Sequence, residues 1–180
     1  MQSRKEIRSF RLNTSLLARL SLSARRQKVS ESSIVEKALE QSLKMEMLLP
    51  VFDTVSLGRE TFKAILMASE TDTLVGIGNK RGRKAFALAR ELYESNGLGL
   101  TFPLYLTEIL AEEGRWFRAE GTLVKPERMT LSHGLGPKWS QFLKAYVASA
   151  HEVILGEKLE VSTDDEFVSI NLLGQRVPRE

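Results

Sequence analysis

The alternation of polar and apolar residues near the start of the chain predicts a short strand. In residues 8–12 (RSFRL), Phe10 and Leu12 alternate with Ser9 and Arg11, so apolar and polar side chains fall on opposite faces. A strand this short is not stable by itself, because its backbone groups and its apolar face both need partners. The pattern therefore predicts a strand whose partner must be found elsewhere.

Two helices are predicted after this strand. Asn13 or Thr14 can cap the first, which should end near Gln27, and Ser30 can cap the second. The chain then continues as strand, helix, tight turn and helix, and Pro50 ends the run. Apolar residues recur at helical spacing, and they are Leu16, Leu17, Leu20 and Ala24 in the first helix and Ile34, Val35, Ala38, Leu39 and Leu43 in the second.

The rest of the chain mixes helical and strand patterns. Helices are predicted from Ser56 to about Met67, from Thr71 or Asp72 to Tyr93, from Phe102 to Glu113 and from Pro137 to Gly156. Two strands are predicted within residues 115–133, and a closing hairpin is predicted within residues 157–173. The order of these elements predicts an α+β fold, with one domain over residues 1–48 and a second over residues 51–180.

The long second helix of this domain has a face of small residues. Gly78 and Gly82 fall on one side with Val75, Ala89 and Tyr93, together with Ala85 or Phe86, and glycines there would let another helix approach closely. The spacing of Gly76, Gly78 and Gly82 differs from a dinucleotide-binding loop, although a phosphate loop stays an alternative. The other side is basic and is either solvated or in contact with DNA through Lys80, Arg81, Arg83 and Lys84.

Charge is distributed unevenly along the 180 residues. The net charge is +3, yet residues 1–50 hold ten Lys and Arg against five Glu, so the remainder carries −2. A basic segment joined to a nearly neutral body is typical of a module that binds a polyanion.

Composition excludes several chemistries. The chain has no cysteine and only two histidines, so a disulfide scaffold, a cysteine nucleophile and a thiolate metal site are excluded and a metal site is not expected. No catalytic constellation is found, and His133, near a turn, is best interpreted as a hydrogen-bonding structural residue. No apolar run has membrane-spanning length, and a charged start does not resemble a signal peptide. We expect a cytoplasmic protein that is not an enzyme, needs no cofactor and does not bind membranes.

The first 44 residues resemble the ribbon-helix-helix family of DNA-binding proteins, and the match is carried by residues 7–43 (IRSFRLNTSLLARLSLSARRQKVSESSIVEKALEQSL). In that family two chains pair their strands into an antiparallel ribbon that enters the major groove of double-stranded DNA. The resemblance implies a homodimer in which a second copy supplies the missing strand. It also implies a shared dimer core made of Phe10, Leu12, Leu16, Leu20, Ile34, Ala38 and Leu39.

The resemblance further assigns DNA contacts. With Phe10 turned inward, Ser9 and Arg11 face the bases, joined by Ile7, or by Arg8 if the register of the strand is shifted. Arg11 would bind guanine in a bidentate manner. Phosphates would be bound by Arg8, Lys28, Ser30 and Ser32, with Lys28 standing where the family often has glycine.

These observations lead to a sequence-specific transcription regulator, most simply a repressor. Its second domain would mediate oligomerisation or bind a small-molecule or protein effector, and it resembles the small α+β sensor domains of bacterial and archaeal regulators in general organisation. The alternatives are an antitoxin that binds its own promoter and a toxin, an enzyme tethered to DNA, and a basic helical hairpin with solvated arginines.

Overall fold

A computed structural model describes residues 6–48, 57–121 and 128–172 of the chain. The protein divides into two compact units, with the division between Met45 and Glu46. Within the three described ranges, no helix is both long enough and apolar enough to cross a bilayer.

The first unit contains two helices that begin at the predicted capping residues. Helix α1 is Thr14–Gln27, and the Asn13 side chain accepts a hydrogen bond from the Ser15 amide at 2.9 Å. Helix α2 is Glu31–Leu48, and the Ser30 hydroxyl accepts from the Ser33 amide at 3.1 Å. Each cap satisfies one of the amides that the first helical turn leaves without a backbone partner.

The predicted strand at residues 8–12 is absent from the single chain. Residues 6–13 lie before α1 and belong to no helix or strand. A strand requires backbone hydrogen bonds to a neighbour, and the described residues of one chain form no neighbouring strand in the first unit. The ribbon therefore stays a prediction about two chains.

The second unit is mixed helix and antiparallel sheet, which confirms the α+β class. Helix α3 begins at Arg59, after Gly58, whereas the predicted capping residue Ser56 lies outside the described residues. The elements are α3 (Arg59–Ala68), α4 (Thr71–Ser95), α5 (Phe102–Leu104) with a following π-helix (Tyr105–Glu113), β1 (Arg118–Glu120), β2 (Arg128–Ser132), α6 (Pro137–Leu155), β3 (Glu160–Thr163) and β4 (Phe167–Asn171).

The helix predicted over residues 102–113 is present, and its second part is a π-helix. From Tyr105 the backbone follows a π-helix, which ends where the Gly114 amide donates to the Ile109 carbonyl at 2.8 Å. Tyr105, Leu106, Ile109 and Leu110 of this π-helix are all buried.

The four strands form one antiparallel sheet in the order β1-β2-β4-β3. The predicted closing hairpin is present as β3 and β4. The two strands predicted before α6 pair with each other as β1 and β2, and β4 joins the two pairs through its pairing with β2. Alternate side chains of the two central strands are fully buried against the helices, and these are Met129, Leu131, Val168 and Ile170.

Helices α4 and α6 pack closely through the predicted glycine face. A Cβ atom added at Gly82 would lie 2.1 Å from the Tyr146 carbonyl oxygen, and one added at Gly78 would lie 2.7 Å from the Phe142 carbonyl oxygen. Only a residue without a side chain allows the two backbones to approach so closely. The apolar core of the second unit forms around this contact.

We expect Gly82→Ala to destabilise the second unit by about 3 kcal/mol or more, because the new methyl group must displace the backbone of α6 rather than a flexible side chain. Gly76→Ala is the matched control on the same helix, since its Cβ would meet no atom within 4 Å. That control should raise the free energy of unfolding by about 0.5–1 kcal/mol. Urea denaturation of both variants measures the difference, and equal effects would contradict the close contact.

Candidate nucleic-acid interface

The first unit exposes most of its apolar side chains. Among its described residues only Ala24 is buried. Phe10 is 73% exposed, Leu39 is 51% exposed and Leu43 is 66% exposed. A unit with this much exposed apolar surface and so small a core lacks the burial that offsets the entropy of folding. Exposed apolar surface of this kind marks an interaction site.

The seven residues predicted to form a dimer core belong to this surface. None of them is buried within one chain: Leu20 and Ile34 are half-buried, and Phe10, Leu12, Leu16, Ala38 and Leu39 are exposed. They are therefore available to a partner. Complete burial of each Leu, Ile or Phe side chain would contribute about 1.5–3 kcal/mol.

The residues predicted to contact bases lie on the segment before α1. Ile7 is 96% exposed, and Ser9 and Arg11 are also exposed. Without a strand the segment does not fix these three side chains on a common face. Arg8 pairs with Glu6 at 2.8 Å, with both side chains mostly exposed. Because an exposed ion pair is worth at most about 1 kcal/mol, this contact does not prevent Arg8 from binding a phosphate.

Lys28 takes the backbone conformation that glycine would adopt with less strain. Its φ and ψ are 56° and 40°, in the left-handed region. The Lys28 amide donates to the Arg25 carbonyl at 3.3 Å, and the Val29 amide donates to the Ala24 carbonyl at 3.1 Å. These two bonds are those of a Schellman motif, which ends α1 and turns the chain toward α2. The lysine side chain is exposed at this turn.

The start of α2 combines an anion-binding geometry with a carboxylate. Ser32 is exposed in the first turn. The Ser30 hydroxyl also lies 2.8 Å from the Ser33 hydroxyl, a contact that sequence reasoning missed. Helix geometry leaves the first amides of α2 without intrahelical partners, and such amides favour a phosphate. Glu31 carries a negative charge at this position.

The Glu31 carboxylate is turned toward the first helix. Its Oε1 atom accepts a hydrogen bond from the Ser21 hydroxyl at 2.5 Å, which connects α1 with α2. The sequence shows an acidic residue after the cap, as helix dipoles favour, but it gives no indication of the pairing with Ser21. Ser21 is thus a positioning residue for the start of α2.

The second unit does not contain the phosphate loop considered above. Gly78 and Gly82 lie inside α4 and are buried against α6, so their amides belong to the helix and are not accessible to a ligand. The described residues also contain no group of three or more His, Asp or Glu side chains that could hold a metal ion.

His133 is a buried structural residue, as predicted. Its Nδ1 atom accepts from the Leu135 amide at 3.1 Å, so the proton of the neutral ring lies on Nε2. Nε2 lies 2.9 Å from the Ser140 hydroxyl, and Ser140 in turn donates to the Asp164 carbonyl at 2.5 Å. In this arrangement Nε2 donates to Ser140 and cannot remove its proton, so the pair does not form a nucleophile and base.

No family model, curated protein or solved structure matches the chain. The resemblance to ribbon-helix-helix proteins accordingly rests on the residues of the first unit alone.

We expect Lys28→Gly to stabilise the first unit by about 0.5–1 kcal/mol. Glycine adopts the left-handed conformation without strain, which increases the free energy of unfolding by about 1–2 kcal/mol. The larger conformational entropy of glycine in the unfolded chain offsets about half of this increase. Lys37→Gly, at an exposed position inside α2, should instead lower the free energy of unfolding by about 1 kcal/mol. Thermal unfolding of the two variants measures both shifts, and a loss for Lys28→Gly would contradict the turn geometry.

His133 should make stability depend on pH. Burial, followed by the positive charge of Arg59, lowers the pKa of His133 from 6.5 to about 4. Above pH 6.5 the His133 ring is neutral in both the folded and the unfolded state. Between pH 6.5 and about 4 the ring is protonated in the unfolded state and stays neutral in the folded state. Stability should therefore fall by up to about 3 kcal/mol between pH 6.5 and 4. His133→Asn should remove this decrease in urea titrations, and an unchanged decrease would contradict the assignment.

Proposed function

We propose that the protein is a homodimeric, sequence-specific DNA-binding regulator, most simply a repressor. Two first units would pair residues 8–12 into an antiparallel ribbon that enters the major groove. The observation that carries this proposal is the exposed apolar surface of the first unit, which includes Phe10, Leu12, Leu16 and Leu39.

The dimer would supply what one chain lacks. Pairing the segments would satisfy backbone groups that have no partner strand in one chain and would bury Phe10 and Leu12 against both helix pairs. With those two residues inward, the period of a strand puts Ser9 and Arg11 on the outer face. A single geometric requirement thus links dimerisation with the presentation of base-reading side chains.

The turn and the second helix support the same function. Exposed Lys28 and the amide-rich start of α2, beside Ser30 and Ser32, offer positive charge and donors to a phosphate. Such contacts fix the position of a protein on a duplex, whereas base contacts determine which sequence is bound. The excess of five positive charges in residues 1–50 favours binding to a polyanion such as DNA over binding to a basic or neutral partner.

The second unit favours a regulator over an antitoxin. An antitoxin tail that folds on its toxin is poor in apolar core before binding. Here the second unit has a large core, and Leu143, Val147 and Ile170 in it are completely buried. A unit already folded in this way suits oligomerisation or the sensing of an effector.

We expect Arg11→Ala to reduce affinity for the bound sequence by about 10- to 100-fold, because a bidentate contact to guanine contributes about 1–3 kcal/mol. Affinity for random DNA should change little. The bound sequence is first selected from a random duplex pool with the full chain, and fluorescence anisotropy then measures both affinities.

Arg19→Ala is the matched control, since Arg19 is an exposed arginine on α1 and outside residues 8–12. It should leave the ratio of specific to random affinity unchanged. Equal losses for Arg11→Ala on the selected and the random duplex would contradict base reading by this residue.

A further inference from the structure

Helix α4 carries a concentrated positive charge on the side opposite α6. Lys80, Arg81, Arg83 and Lys84 are all exposed, and they occupy four of five successive positions. No acidic residue occurs on α4 between Asp72 and Glu91. Helical geometry puts Lys80 and Lys84 one turn apart and opposite the buried Gly82, with the two arginines to either side. We call these four residues the α4 basic face.

Neighbouring acidic groups neutralise only one edge of this face. Arg83 pairs with Glu152 of α6 at 3.0 Å. The next acidic residues along the helix are Glu91 and Glu94, and Glu94 pairs with Arg90 at 3.0 Å. Within the described ranges, Lys80, Arg81 and Lys84 form no ion pair. Like charges one helical turn apart repel each other. A ligand that carries several negative charges would remove this repulsion.

We propose that the α4 basic face binds the phosphate backbone of the same DNA duplex whose major groove the first unit reads. This inference rests on the proposed function. Because both units belong to one chain, DNA held by the first is present at high local concentration for the second. Lysine ammonium groups at Lys80 and Lys84 neutralise phosphates without reading bases, so they add affinity and not sequence preference.

The chemistry of the face favours DNA over a lipid surface. A helix that binds a membrane interface carries a broad apolar face beside its basic one, often with Trp, Phe or Leu. The side of α4 remote from its basic face is instead packed in the core through Gly78, Gly82 and Phe86. Only Ile77 is a large, substantially exposed apolar residue on this helix.

The test compares two doubly substituted full-length proteins. Lys80→Gln/Lys84→Gln removes the centre of the α4 basic face, and Lys63→Gln/Lys144→Gln removes the same charge from exposed positions on α3 and α6. Affinity for the selected duplex and for random DNA is measured by fluorescence anisotropy between 50 and 200 mM salt, a range in which phosphate contacts dominate the salt response. Thermal unfolding establishes that both variants are folded.

We expect the α4 variant to lose about 10-fold or more in affinity at the lowest salt. Its slope of log affinity against log salt should fall by about 0.9 for each phosphate contact removed. The ratio of specific to random affinity should remain that of the unsubstituted protein. The control variant should retain the original slope.

Two results would overturn the inference: an unchanged slope in the α4 variant, or the same decrease in both variants. Either leaves the proposed function intact if the unsubstituted protein still selects one sequence. If that protein binds DNA without sequence preference and the α4 variant loses slope, the basic face is supported and the proposed function fails. If the unsubstituted protein binds no DNA at all, both fail.

Discussion

Burial of the apolar side chains of the first unit is the constraint on which the rest of the account depends. Phe10, Leu12, Leu16 and Leu39 are exposed in one chain, and only Ala24 is buried among the described residues of this unit. Two short helices with so little core do not offset their conformational entropy. In the proposed function a second copy is the partner that would also complete a strand, so dimerisation, folding and the display of Arg11 would become one event.

The second unit buries its apolar side chains within one chain. Its sheet covers the helices on one side, and the approach of α4 to α6 depends on Gly78 and Gly82. Because α4 packs through such small residues, it directs its long basic side chains away from the core. The close helix contact and the α4 basic face are thus two consequences of the same helical periodicity.

The elements that local chemistry determines could be predicted from the sequence. Asn13 and Ser30 cap the two helices because short polar side chains reach the free amides, and Gly156 ends α6 with a φ of 65° because the left-handed region suits glycine. The glycine face of α4 could also be predicted from the helical spacing, although Leu74 and not Val75 is the buried residue at its start.

Features that depend on distant partners could not be predicted. The apolar positions of the π-helix, such as Tyr105 and Leu110, fit an ordinary α-helix equally well, so the spacing gives no sign of the wider turn. The pairing of Ser21 with Glu31 requires the turn at Lys28 to be known first. The strand at residues 8–12 depends on another chain, so its alternation stays a hypothesis about the dimer.

Isotope-filtered nuclear Overhauser spectroscopy on a mixture of labelled and unlabelled full-length chains tests this dimer most directly. A ribbon dimer should give intermolecular contacts between backbone protons of residues 8–12 in the two copies, together with contacts from Phe10 to Leu39 of the other copy. A sample that stays monomeric at the concentrations used, or a dimer without these contacts, would contradict it.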